Sequence, residues 1–284
     1  MLEGEELLAR TCRHTSGSVD NTVRVWEASS GKEIGCFKGH AGDVYSVCWS
    51  RDGKGIVSGS LDKSARIWET SSGKEVGCFS AHSYPVWGVS WSGDGRMIAT
   101  GSGDNTVRVW EADSRREVVS LKGHCCSVRS VSWSRDGRRI VSGSWDNTVR
   151  VWDPTSGKEV HCLKGHAGDV WSVSWSEDGS KIASGSVDNT VRVWEASSGK
   201  EIGCFKGHTK GVYSVCWSRD GGQIVSGSGD GFVRVWEASS GKEMECLTGH
   251  TRGVWGVSWS GDGRMIATGS GDNTVRVWEA DSAY

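Results

Sequence analysis

The sequence is short of proline, of long apolar runs and of excess charge, and each shortage closes off a class of protein. Only 2 prolines stand among 284 residues, so nearly every backbone N–H is free to join a strand ladder. No apolar run approaches the length of a membrane span, and residues 1–10, more acidic than basic, do not form a signal peptide. A formal net charge of -2 gives no reason to expect nucleic acid or a membrane surface as a partner. No Asn-x-Ser/Thr sequon occurs, no Walker-type phosphate loop occurs, and no stretch keeps helical periodicity over three turns. The length fits one large domain or two small ones, and it suffices to bury a core without disulfides or metals.

Glycine, tryptophan and repetition are plentiful instead. The 41 glycines suit many tight turns between short strands. Gly-His recurs at His40, His124, His166, His208 and His250, with Ala81-His82 in the gap, always at a step of 42 residues. Trp26, Trp68, Trp110, Trp152, Trp194, Trp236 and Trp278 keep the same step, each followed by Glu or, once, by Asp153. A longer copy lies over this one: residues 18–40 equal 186–208 and residues 86–114 equal 254–282, both at an offset of 168, which is four units. Whatever distinguishes one partner from another must therefore sit at the few positions that vary.

Within a unit every local signal is β. Val44 to Trp49 is β-branched and aromatic, Asp52-Gly53 marks a turn, and Ile56-Val57-Ser58 makes a second strand. A turn near Asp62 leads to Ala65–Trp68, and Ser72-Gly73-Lys74 leads to Glu75–Phe79. Four such strands make one antiparallel blade that cannot bury both faces alone, so the units must stack around an axis. The ten cysteines include Cys36, Cys78, Cys162, Cys204 and Cys246 at multiples of 42. Equivalent positions in neighbouring units lie beyond the ~7 Å Cα limit for a bridge. A reduced, intracellular protein is expected, cytoplasmic first and nuclear as the alternative.

The Gly-His opening, the turn Asp and the Trp-Asp/Glu close resemble the WD40 repeat family from about Thr15 onward. The near-identical units also resemble the propeller arrays at the ends of NACHT-type signalling proteins. The first resemblance implies an all-β WD40-type propeller in a single domain spanning residues 1–284, with 1–14 an atypical N-terminal segment. Seven blades are favoured. The first lacks a good inner strand, because it would align with residues 1–8, and the last lacks an outer strand; the N-terminal segment could add that missing edge. Six blades with displaced N-terminal residues are the alternative.

The resemblance further implies a hydrogen-bonded tetrad in each blade. It maps onto His40, Ser58, Asp62 and Trp68; onto His82, Thr100, Asp104 and Trp110; and onto His124, Ser142, Asp146 and Trp152. The remaining sets are His166, Ser184, Asp188 and Trp194; His208, Ser226, Asp230 and Trp236; and His250, Thr268, Asp272 and Trp278. Six copies of a Ser/His/Asp grouping, each capped by Trp, describe a scaffold rather than one catalytic centre. No catalytic residue, metal site or cofactor is expected, because histidines 42 residues apart lack ligand spacing.

Six further tryptophans end the first strands and should pack between blades, which leaves Trp87, Trp145, Trp171 and Trp255. Five residues after the loop His the units read Tyr45, Trp87, Arg129, Trp171, Tyr213 and Trp255. The resemblance places that position, and Trp145 before the turn Asp146, on the top face around the channel mouth, where the rings are expected to bind a partner or, as the alternative, to plug the channel and pack against their neighbours. Three residues after the His, Asp43 and Asp169 could draw a partner's cation to those rings. The repeated arginine series at Arg66 and its equivalents is expected to pack by its stems with exposed heads. Cys125-Cys126, in the loop after His124, is expected to be small and buried, with a redox-active pair as the alternative.

The expected function is a non-enzymatic scaffold binding a protein or peptide on this face, with no nucleic acid, membrane or small-molecule substrate. The alternative is the sensor or C-terminal part of a larger NACHT-like signalling protein.

Overall fold

A computed structural model of the chain describes residues 13–27, 30–260 and 262–280. Seven antiparallel sheets follow one another, over residues 13–38, 44–79, 86–122, 128–164, 170–206, 212–247 and 254–279, with no helix among the described residues. They are the blades of a propeller, with each inner strand beside the inner strand of the next blade. The fourth blade shows the pattern: Val128–Trp133 innermost, then Ile140–Ser144, Thr148–Asp153, and Lys158–Lys164 at the rim. The six-bladed alternative is corrected here. The first unit forms a sheet of its own from Arg13–Gly17, Thr22–Glu27 and Glu33–Lys38. Its opening strand pairs Ser16 with Arg24, as the second strand of the next blade pairs Ser58 with Arg66. The inner strand expected over 1–8, and the added edge for the last blade, lie outside the described residues.

Sequence dictates why these sheets stack. In the fourth blade the inner-strand Val128 and Val131 face the preceding blade and the third-strand Val149 and Val151 face the next, so both faces of a blade carry apolar side chains. Val141, Val149, Val151 and Leu163 of the fourth blade meet Val170, Val173, Trp175, Ile182 and Trp194 of the fifth in one buried cluster. Six clusters of this kind join consecutive blades among the described residues. The core is thus a series of layers between sheets, and none lies within one sheet.

Two features bring the sheets close enough. First, the glycine of the second strand leaves a notch: a Cβ on Gly143 would stand 2.7 Å from Val170 Cγ1 and 2.9 Å from Val173 Cγ1 of the next blade. Second, inner strands are hydrogen-bonded across blades. The backbone N–H of Val89, Trp133, Val173, Val215 and Val257 donates to Ser46, Ser90, Ser130, Ser172 and Ser214, at 3.0–3.1 Å.

Each complete blade also carries two β-bulges. On the inner strand of the fourth blade the register jumps from Val128↔Ser144 to Ser130↔Gly143, which leaves Arg129 as the extra residue. On its outer strand it jumps from Val151↔His161 to Trp152↔Glu159, which leaves Val160 extra and exposed. A bulge re-aims the extra side chain, and at an edge it twists the ladder away from intermolecular pairing. The outer bulge is therefore a safeguard on an edge that faces solvent.

Filling the notch tests this packing. Gly143→Ala is expected to lower stability by about 1–3 kcal/mol, the usual range for overpacking, read as a shift of the urea midpoint at unchanged slope. An unchanged midpoint would mean that the blades do not approach as described.

Candidate functional site

Each tetrad is a directional chain of hydrogen bonds that fixes the loop above it. In the second blade the Trp68 indole N–H donates to Ser58 Oγ at 2.8 Å. That hydroxyl donates in turn to His40 Nε2 at 2.7 Å, and His40 Nδ1–H donates to Asp62 Oδ2 at 2.8 Å. An indole can only donate, so its bond turns the hydroxyl hydrogen toward the imidazole and sets the tautomer. Asp62 then accepts the Ala41 N–H at 3.0 Å, tying the turn to the loop. The same links join His82, Thr100, Asp104 and Trp110, and His124, Ser142, Asp146 and Trp152. They recur at His166, Ser184, Asp188 and Trp194, at His208, Ser226, Asp230 and Trp236, and at His250, Thr268, Asp272 and Trp278.

The electrostatics follow from this geometry. Burial pushes the Asp62 carboxyl up, but hydrogen bonds from Ser64, the Ala41 N–H and His40 outweigh it and hold the group down at about 2. At Asp104, Asp146 and Asp188 burial likewise pushes the carboxyl up, and hydrogen bonds from the tetrad His and the nearby Thr overcome it and hold the group low. Desolvation lowers His40, against the pull of Asp62. The tetrad hydroxyls are fully buried, Ser58 and Ser142 at 0 % exposure. A hydroxyl shut away from solvent and already donating to imidazole is a structural link, out of reach of any substrate.

Above the tetrads lies the face to which the sequence assigns binding. Tyr45, Trp87, Arg129, Trp171, Tyr213 and Trp255 are the extra residues of the inner-strand bulges. The structure brings them together with Trp145 into one cluster at the loop end of the inner strands. Ring centroids run Tyr45–Trp87 at 4.7 Å, Trp87–Trp145 and Trp145–Trp171 at 6.4 Å, Trp171–Tyr213 at 4.8 Å, and Tyr213–Trp255 at 4.5 Å. Trp171 and Trp255 also meet, at 6.0 Å. Tyr45, Trp145 and Trp255 keep 42 %, 37 % and 51 % of their surface exposed, whereas Trp87, Arg129, Trp171 and Tyr213 are half-buried.

In three blades a glycine before the turn Asp makes room for a large bulge residue. Gly103 lies under Trp87, Gly229 under Tyr213 and Gly271 under Trp255, whereas Trp145 faces Arg129. The slot expected to take a partner's cation is filled from within. The Arg129 guanidinium sits 4.3 Å from the Trp87 ring and 4.2 Å from the Trp171 ring. Asp43 is half-buried and accepts the Tyr45 hydroxyl at 3.1 Å. Asp169 is half-buried too, and desolvation raises its carboxyl.

Residues absent from the sequence assignment also reach this face. Tyr84, Leu61, Val187 and Phe232 are exposed in its loops and turns. Their signal was the variable position itself, since Phe232 stands where Thr148 and Thr190 occur in other units. Two other expectations are corrected. The repeated arginines do not hold exposed heads: Arg108 pairs with Glu117 at 2.6 Å, and Arg66, Arg150, Arg192 and Arg234 pair with Glu75, Glu159, Glu201 and Glu243. A Glu that opens the outer strand lies diagonally across from the Arg, which spacing alone did not reveal. Cys125 and Cys126 are exposed rather than buried, because they sit in a loop, and all nine described cysteines are free. At the opposite end, a groove of about 680 Å³ is lined by Arg51, Arg135, Arg139, Glu177 and Lys181 among others. Two of its arginines are engaged, Arg135 with Glu177 and Arg139 with Asp153 at 3.5 Å.

Comparison with known proteins places these repeats. The family profile described as "WD domain, G-beta repeat" (WD40) matches residues 31–69, 73–111, 115–153, 157–195, 199–237 and 241–279. A curated relative, Ribosome assembly protein 4 of Chaetomium thermophilum, is 50 % identical over 42 residues, covering 15 % of this chain and 8 % of that protein. The chain thus spans under a tenth of that relative's length, about one repeat.

Two measurements test the tetrads. Ser142→Ala strands the Trp152 N–H and His124 Nε2, and is expected to cost about 1–3 kcal/mol in urea unfolding, the penalty for unpaired buried polar groups. For pH, carboxyls held below their ordinary 3.8 stabilise the fold above that value and release that stability as protons are bound. The urea midpoint should therefore fall most steeply between about pH 4 and pH 2. A smaller loss should begin below 6.5, where desolvated His40 resists its proton. A midpoint constant down to pH 2 would contradict the tetrad electrostatics.

Proposed function

The chain belongs to the WD40 repeat family, and from that premise we propose that it is a non-enzymatic scaffold that docks a protein or peptide on the loop face of its propeller. The docking residues are Tyr45, Trp87, Arg129, Trp145, Trp171, Tyr213 and Trp255, with Asp43 and Asp169 at the rim. The observation that carries this reading is the contiguous cluster of aromatic rings, most of them on bulge residues, with Tyr45, Trp145 and Trp255 exposed at the loop ends of the inner strands. Large rings with few rotatable bonds give contact area at low entropic cost, and aromatic and arginine side chains dominate binding hot spots. The tetrads hold the surrounding loops before a partner arrives, which lowers the ordering cost of association.

A catalytic role has no support from the tetrads, whose hydroxyls are buried and identically bonded in every set. An intracellular setting, cytoplasmic or nuclear, is supported by the free cysteines. No helix among the described residues is long and apolar enough to cross a membrane. The near-identity of repeats favours a second reading, in which the propeller is the sensor portion of a larger NACHT-like signalling protein. The likeness to Ribosome assembly protein 4 spans a single repeat and supports no ribosomal role.

Peptide-array binding tests the docking face. Trp255→Ala and Trp145→Ala are expected to lose at least about tenfold in signal, with unchanged unfolding midpoints. Arg51→Ala, at the opposite end, should leave binding intact. Equal binding by all three variants and the wild type would refute the assignment.

A further inference from the structure

Resting on the docking face just described, and deepening it, we propose that the anchor taken at this mouth is a single anionic side chain of a peptide, a carboxylate or a phosphate, held by the edge of the Arg129 guanidinium.

The argument starts from what Arg129 has and what it lacks. Its guanidinium carbon lies over the Trp87 ring at 4.3 Å and over the Trp171 ring at 4.2 Å, with Trp145 at 5.7 Å. Stacking of this kind uses the π-faces and leaves the in-plane N–H donors over. Its Nε is buried and unpartnered, as it also is in Arg66, Arg108, Arg150, Arg192 and Arg234, so what sets Arg129 apart is its guanidinium end, which meets no carboxylate among the described residues. The contrast within the same chain is sharp: Arg66, Arg108, Arg150, Arg192 and Arg234 each pair with the Glu nine residues on. Burial lowers the Arg129 group to about 10, so the protein holds this charge at a cost that an in-plane anion would relieve. A planar fork of donors matches a carboxylate or phosphate in two-pronged geometry.

A cationic anchor fits less well. The faces it would use on Trp87 and Trp171 are occupied, and it would meet the charge of Arg129. Exposed Lys210 and Arg252, in the loops after His208 and His250, add positive potential to the same face. Asp43 and Asp169 oppose an anion, and the Tyr45 hydroxyl that Asp43 accepts leaves its charge in place. That balance favours one acidic residue among neutral or aromatic neighbours over an acidic run.

The test uses the full chain and an array of degenerate hexapeptides with one fixed residue: Asp, Glu, phosphoserine, Gln or Lys. Wild type is expected to bind the Asp, Glu or phosphoserine sets about tenfold better than the Gln set, and which of them leads identifies the source of the anion. Arg129→Met, which keeps the stem, should abolish that preference, and Arg129→Lys should retain only part of it. The wild-type ranking stands without any variant, should Arg129→Met fail to fold. If the Lys set binds best, with loss in Trp255→Ala and none in Arg129→Met, the charge assignment is overturned while the docking face survives. If no set binds in a Trp255-dependent way, both readings fall.

Discussion

A blade with apolar side chains on both faces has no stable existence except between two others, and the rest of this structure depends on that constraint. The valines of an inner strand enter the notch left by the second-strand glycine of the preceding blade, as Val170 and Val173 do at Gly143. The closing tryptophan of the next blade joins the same cluster, as Trp194 does beside Val151 and Leu163. Because this contact is hydrophobic, it is strong in sum but carries little geometric information. Direction comes from the serine bonds that join adjacent inner strands and from the tetrads, which fix loop to turn within each blade. Burial holds the wheel together, and polar bonds set its register.

Function grows from the same parts. The inner strand must curve toward the channel, and the bulge that bends it turns one side chain per blade onto the loop face. Those side chains vary from unit to unit while the tetrads beneath them hardly do, so a constant frame presents a changeable surface. The pairing of Gly103 with Trp87, and of Trp145 with Arg129, shows how two variable positions in one blade share a fixed volume.

Much of this was legible in the sequence, because a period of 42 residues repeats both strand pattern and punctuation. Strand limits such as Val44–Trp49 agree with the reading, and the tetrad partners sit where the motif puts them. Three things were not legible, each for a physical reason. The bulges depend on cross-strand register, which no local pattern encodes. The Arg–Glu pairs join strands whose diagonal offset is itself set by the outer bulge. Most consequentially, the position of Arg129 between Trp87 and Trp171 arises from three different blades meeting at one axis, so no window of sequence contains it. The expectation of a partner's cation at those rings was reasonable from Asp43 and the tryptophans, and the chain itself supplied the cation.

The central claim is that a blade, even with its own tetrad complete, is not a folding unit. The most direct measurement is far-UV circular dichroism of an isolated peptide covering residues 122–164, which contains the whole fourth blade with His124, Ser142, Asp146 and Trp152. The account predicts a disordered spectrum with no cooperative thermal transition, because both apolar faces would stand in water. A folded, cooperatively melting single blade would contradict it.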